Sequence, residues 1–146
     1  METIEARGKF HAAHRQREYR GKCAWIHGHT WRGTFTLRAE RFPRDEALDM
    51  SVDFSALKGI FRFLDHKLMV SESDELFLNP EVFDPAGVVV IPGRNPSVEN
   101  VARYCLDRAV EVLASLFPGR GIEYAIEVRL QETDNNYFTL ERVERI

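Results

Sequence analysis

The sequence predicts an α+β domain: one antiparallel sheet of four strands covered on one face by two helices, in the order strand–strand–helix–helix–strand–strand. Three observations carry this reading. Both ends of the chain hold segments in which apolar and polar residues alternate, and the middle holds two apolar stripes of helical spacing. The turn residues Asp134-Asn135-Asn136 then split the last extended stretch into a hairpin. With 146 residues the chain forms one domain, 1–146, large enough to bury a core without disulfide staples.

Taken in order, Thr3–His14 reads as a strand with Phe10, Ala12 and His14 on one face and His11 and Ala13 on the other. Arg15–Lys22 is polar and aperiodic, a loop leading to Cys23. His27–Glu40 is the second strand, with Phe35 and Leu37 alternating against Thr36 and Arg38. An antiparallel pairing of these strands brings His14 towards His27 and His29. Arg41–Met50 is the next loop. Asp53 or Ser55 caps a helix with apolar residues at Phe54, Leu57, Ile60, Phe61 and Leu64, ending before Asp65-His66. An imidazolium is electrostatically favoured at that C-terminus. Ser71–Pro96 reads as a long irregular segment with one short apolar run, Val88–Ile91. Asn95-Pro96-Ser97 opens the second helix, whose stripe is Val98, Val101, Ala102, Cys105, Ala109, Val110, Leu113 and Leu116, and Pro118-Gly119 closes it. Tyr124–Glu132 and Tyr137–Val143 form the final hairpin.

A net charge of −3 gives no electrostatic basis for a nucleic-acid or membrane-surface partner. No apolar run is long enough to span a bilayer, and Met1–Glu5 does not resemble a signal sequence. Two cysteines, Cys23 and Cys105, imply no disulfide framework, so a reducing cytoplasm is the expected setting. Cys105 falls on a helix stripe and reads as a small core residue.

The stretch Cys23-Ala-Trp-Ile-His27-Gly-His29 is where chemistry is expected. Residues two apart on a strand project the same way, so His27 and His29 present both imidazoles to one face. A catalytic zinc takes three protein ligands and keeps one position open. Cys23 could be the third ligand or a reactive group beside the metal; the strand pairing favours His14 as the ligand and leaves the thiol free. An ordinary packing role is the alternative for Cys23, and its loop setting and spacing from the histidines count against it. On spacing alone, Asp65-His66 reads as a helix-end charge pair and Glu132 as a solvent-facing strand residue.

Together these segments resemble the 6-pyruvoyl-tetrahydropterin synthase / 6-carboxytetrahydropterin synthase family. The matching segments are Phe-His-Ala-Ala-His (10–14), Cys-x-x-x-His-Gly-His (23–29), Val-Asp-Phe-Ser-Ala-Leu-Lys (52–58), Leu-Asp-His-Lys (64–67), Asn-Pro-Ser-Val-Glu-Asn-Val-Ala (95–102) and Glu-Thr-Asp-Asn-Asn (132–136). The resemblance implies a tunnelling fold (T-fold) whose subunits close into a β-barrel, typically a homohexamer of two stacked trimers with active sites at subunit interfaces. It implies one Zn2+ per subunit held by His14, His27 and His29. It also implies Cys23 as proton acceptor, Asp65 and His66 as its relay partners, Glu132 as anchor of the pterin ring, and Ser97 as a further substrate-binding position. Asp65-His66 would then serve a neighbour's Cys23, and exposed sheet edges make ring closure physically reasonable.

The implied substrate is 7,8-dihydroneopterin triphosphate. Zinc would hold its side-chain hydroxyls and acidify the adjacent C–H. A cysteine is mostly thiol at neutral pH unless a cation or metal sits near it, and His66 oriented by Asp65 would stabilise or relay the proton. Glu132 would accept the ring's amide N–H and amino group side by side. Arg15, Arg17, Arg20 and Lys22 are candidates for the phosphates. Two activities share this constellation. One cleaves the side chain, releasing acetaldehyde and triphosphate and leaving 6-carboxy-5,6,7,8-tetrahydropterin, a precursor of 7-deazaguanines such as queuosine. The other keeps the side chain and gives the 6-pyruvoyl product of the tetrahydrobiopterin pathway. The three-residue gap between Cys23 and His27 resembles the carboxy-forming group, and that is the reading adopted. Glu-Thr-Asp-Asn-Asn resembles the pyruvoyl enzymes, although Val98 stands where those commonly carry a second threonine. A zinc-binding oligomeric scaffold without turnover is the alternative from another class; it would need only the histidines.

Overall fold

A computed structural model describes all residues, Met1–Ile146. In chain order the elements are β1 (Glu2–His14), β2 (His27–Ala39), α1 (Phe54–Leu64), β3 (Lys67–Ser71), the single-turn α2 (Glu75–Leu78), β4 (Val88–Ile91), α3 (Val98–Leu116), β5 (Glu123–Thr133) and β6 (Asn136–Arg145). β1 and β2 pair antiparallel along their whole length, from Glu2 opposite Ala39 to His14 opposite His27. β5 pairs antiparallel with β2, and β6 with β5. The two expected hairpins are therefore present, sharing one sheet.

Side-chain alternation sorts this sheet into two faces. Phe10 and Ala12 of β1, Trp31, Phe35 and Leu37 of β2, and Ile126, Val128 and Leu130 of β5 are buried. Leu57, Phe61 and Leu64 of α1 and Val101, Cys105, Ala109 and Leu113 of α3 join them in one core. Asp53 caps α1 by accepting a hydrogen bond from the Ser55 backbone N–H at 2.7 Å. Phe54, expected on the apolar stripe, is half exposed instead.

The packing of α1 depends on two glycines. Gly8 and Gly33 lie directly opposite each other on β1 and β2. The Phe61 ring lies over this pair, stacked between Phe10 at 5.9 Å and Phe35 at 4.7 Å. A Cβ on Gly33 would run into that ring and come within 3.0 Å of Leu130. The aromatic stack leaves the ring nowhere to go, so Gly33→Ala should destabilise the protein by about 1–3 kcal/mol, read as a lower denaturant midpoint.

The sheet has six strands, in the spatial order β4-β3-β1-β2-β5-β6, which corrects the expected four. Both additional strands are short and parallel to their neighbours, and both lie between the helices. His66, at a left-handed φ of 60°, turns the chain out of α1. Lys67–Ser71 then runs beside the end of β1, and Val88–Ile91 runs beside Lys67–Ser71. Leu68, Met69, Val70 and Ser71 are all buried, so this strand shows no alternation to announce it. The segment expected to be irregular thus contributes two strands and the single turn of α2. β3 pairs with β1 only at Ala12 and Ala13, which leaves most of the outer edge of β1 unpaired. β6 forms the opposite edge of the sheet. No helix is long and apolar enough to cross a membrane.

Candidate active site

The core stripe of the first hairpin ends in imidazoles. On β2 the face carrying Leu37, Phe35 and Trp31 continues into His29 and His27; on β1 the face carrying Phe10 and Ala12 continues into His14. His14 stands opposite His27, and Ala12 opposite His29. One ring nitrogen from each of the three histidines lies within 4.8 Å of the others. The Trp31 ring forms the floor, edge-on to His14 and His29.

Two of the rings are held from behind. The Nδ1 of His14 hydrogen-bonds to the Pro96 carbonyl at 2.7 Å, and that of His27 to the Trp25 carbonyl at 2.7 Å. A carbonyl only accepts, so both Nδ1 atoms carry a proton, which in the neutral form of each ring leaves Nε2 with the free lone pair. Metal-ligating histidines are oriented in this way. The Nε2 of His14 is buried without a hydrogen-bond partner. Its polar neighbour is Oε1 of Glu132 at 3.3 Å, which also lies 4.0 Å from Nε2 of His29. A carboxylate and an imidazole lone pair are both acceptors, so their approach calls for a proton or a cation between them. Three converging imidazoles fit zinc, or another divalent ion that favours nitrogen.

Burial pushes His14 down to about 4, opposed by its bond to Pro96 and aided by His27 and His29. Burial, with His27, also lowers His29. Both are therefore neutral at neutral pH, the form a metal needs. Above the unfolded value of 6.5, His14 is unprotonated in both states and imposes no penalty. As pH falls from 6.5 towards about 4, the unfolded chain takes up a proton that the fold refuses. The metal-free protein should lose on the order of 3 kcal/mol across that window. Denaturant unfolding of chelator-treated protein checks this; a pH-independent midpoint would contradict it.

Cys23 lies in a single 3-10 turn, Lys22–Ala24, and its carbonyl accepts from the Gln16 N–H at 2.7 Å, closing the β1–β2 loop. His14, His27, His29, Cys23 and Glu132 line one cavity of about 780 Å³. Its size suits a small organic ligand. Glu132 is half-buried at a β-bulge between Gln131 and Thr133, where the register of β5 and β6 shifts. Glu132 continues the core-facing positions Ile126, Val128 and Leu130 of β5, which directs its carboxylate at the histidines. Burial raises the Glu132 carboxyl above its ordinary range, with nearby Glu99 adding to the effect and His27 opposing it. Glu132 is thus no ordinary solvent-facing strand residue.

Asp65 and His66 stand elsewhere in the single chain. Asp65 accepts from the His11 backbone N–H at 2.7 Å and from His66 Nδ1 at 2.9 Å, and these two bonds hold its carboxyl below the usual range. The His66 ring packs edge-on to His11, whose side chain faces away from His14. The pair therefore lies outside the cavity that contains Cys23. Ser97 is the N-cap of α3, its hydroxyl accepting from the Asn100 N–H at 3.4 Å, and it does not line the cavity. Of the basic candidates, Lys22 lines the cavity, whereas Arg15 is held by buried Asp74 through bonds of 3.0 and 2.8 Å. The Pro96 carbonyl, the Trp31 floor and the bulge were not foreseen. Only Trp31, continuing the stripe below His29, carried a sequence signal.

A mixed-sheet α+β domain whose first hairpin gathers three histidines beside a thiol and a carboxylate defines the structural class. The family model described as 6-pyruvoyl tetrahydropterin synthase matches residues 3–143, and the chain belongs to that family. It is 33% identical over 140 residues to a Pyrococcus horikoshii protein provisionally named 6-carboxy-5,6,7,8-tetrahydropterin synthase, covering 85% of this chain and 82% of that one. A Rickettsia conorii 6-carboxy-5,6,7,8-tetrahydropterin synthase is 25% identical over 133 residues, 87% of this chain and 91% of its own. Among solved structures, a catalytic-residue mutant of Plasmodium vivax 6-pyruvoyltetrahydropterin synthase superposes with a TM-score of 0.67 at 19% identity, covering all of both chains. That last likeness shows a shared fold.

Proposed function

We propose that this protein is a zinc-dependent lyase that converts 7,8-dihydroneopterin triphosphate and one water to 6-carboxy-5,6,7,8-tetrahydropterin, acetaldehyde and triphosphate. The observation that carries the reading is the single cavity in which His14, His27 and His29 converge beside Cys23 and Glu132. A metal-binding scaffold has no use for that thiol and carboxylate. The choice of the carboxy-forming reaction rests on the short Cys23–His27 spacing and on the names of the Rickettsia and Pyrococcus relatives.

His14, His27 and His29 would hold the zinc, which when bound supplies a Lewis acid for the substrate's side-chain hydroxyls. The remaining work falls to this chain's own groups. Glu132 orients the pterin by accepting its paired N–H donors, and the Trp31 floor keeps water from beneath the histidines. Cys23 removes the proton from carbon. Asp65 and His66 relay that proton from a neighbouring subunit, since in one chain they lie on the other side of β1. The unpaired edges of β1 and β6 support closure of copies into the ring, a homohexamer, that such a shared site needs. The cytoplasm supplies the reducing conditions that a free Cys23 requires.

Incubating the purified, metal-loaded protein with 7,8-dihydroneopterin triphosphate and identifying the products tests this. Acetaldehyde together with the 6-carboxy pterin is the expected result. A 6-pyruvoyl pterin would instead assign the side-chain-retaining reaction, and unchanged substrate would leave only the scaffold.

A further inference from the structure

We infer that a second basin, opening beside the metal cavity and walled by Arg17 and Arg94, binds the polyphosphate tail of the substrate. The inference rests on the pterin-triphosphate reading and adds a location and residues to it. The basin has a volume of about 840 Å³ and shares Gln16 and Tyr19 with the metal cavity, so a ligand anchored at the histidines can extend into it.

Its charge is uncommitted. Arg17 donates to the carbonyl and hydroxyl of Ser73, both neutral acceptors, and exposed Arg94 lies on the same wall without a carboxylate partner. Glu18 also lines the basin, so two guanidinium groups face one carboxylate and the balance is positive. Planar guanidinium forks match phosphate oxygens two at a time. Arg15, by contrast, is already neutralised by Asp74 at 2.8 Å and is not available.

The two arginines come from distant parts of the chain and are fixed together by Asn95. The Asn95 side chain accepts from the Arg17 N–H at 2.6 Å and donates to the Arg17 carbonyl at 3.2 Å. Its own carbonyl accepts from Asn100 Nδ2 at 2.9 Å. Arg94, immediately before Asn95, is therefore held beside the β1–β2 loop before any ligand arrives. Such preorganisation lowers the ordering cost of binding.

The test is calorimetric titration of magnesium-charged inorganic triphosphate into the metal-loaded protein, with metal content measured afterwards to exclude stripping. The unsubstituted protein should bind, and Arg94→Ala and Arg17→Ala should each weaken binding by about tenfold or more. Arg120→Ala, which removes an equal charge far from the basin, should stay within about twofold. Arg94 makes no contact that the fold would miss, so its variant is the cleaner reporter. Absence of binding, unchanged affinity in both basin variants, or an equal loss in Arg120→Ala would overturn the inference. Arg94-dependent triphosphate binding without pterin turnover would keep the basin and overturn the assigned reaction; turnover with Arg94-independent binding would do the reverse.

Discussion

Replacing Cys23 with alanine is expected to abolish turnover while leaving the metal and the assembly in place. The thiol lines the same cavity as the three histidines but comes from the loop, not from the strand faces that carry them. In the proposed reaction its part is to accept a proton from carbon, and loss of a positioned general base costs about 100- to 10,000-fold in rate. The bond by which this residue closes the loop is made by the Cys23 carbonyl, so the substitution leaves it in place. The measurement pairs a rate with a metal assay on the same preparation. If zinc content fell along with the rate, sulfur would be a ligand and the division of roles argued here would be wrong.

His27→Ala should have the opposite signature. His27 sits at the start of β2, half-buried, and its Nδ1 is tied only to the nearby Trp25 carbonyl. Its removal deletes one of three donors without opening the core, whereas His14 is 1% exposed and its loss would confound metal binding with folding. Removing even an orienting partner of a ligand costs about 10–100-fold in metal affinity, so removing the ligand itself should cost more than about 100-fold. The purified variant should therefore carry little zinc, be inactive, and unfold near the wild-type midpoint measured on chelator-treated protein. Retention of full metal occupancy would show that the ion is held elsewhere.

The parts of the molecule that the sequence made legible are those with a period. The alternation of β1 and β2 was visible, and carrying it two residues past the core to His27 and His29 located the candidate metal centre. The turn Asp134-Asn135 and the caps Asp53 and Ser97 marked their elements for the same reason: each is a local rule obeyed locally. Leu106 is fully buried yet falls outside the expected α3 stripe, because the buried face is wider than a single line of helical spacing. β3 carries no alternation because Leu68–Ser71 are all buried, and β4, although Val90 is exposed between buried Val89 and Ile91, is an unbroken apolar run of four residues, too short to announce a strand. Glu132 continues the core-facing positions Ile126, Val128 and Leu130 of β5, but a carboxylate at the end of that stripe reads as solvent-facing because the histidines it meets come from β1 and β2, and such a meeting is a property of several segments. The same holds for Asn95 and Asp74, whose work is to bind Arg17 and Arg15 across more than fifty residues of chain. Asp65 and His66 pose a different problem: one chain holds them apart from Cys23, so only an assembly of chains would bring the two together.

The proposed site holds the ion on three imidazoles and leaves the Cys23 sulfur outside the coordination shell. Zinc-edge X-ray absorption of the metal-loaded protein measures this directly. The account predicts three imidazole nitrogens and one light open-site ligand, all near 2.0–2.1 Å, with no sulfur component. A sulfur scatterer at about 2.3 Å, or fewer than three imidazoles, would contradict it.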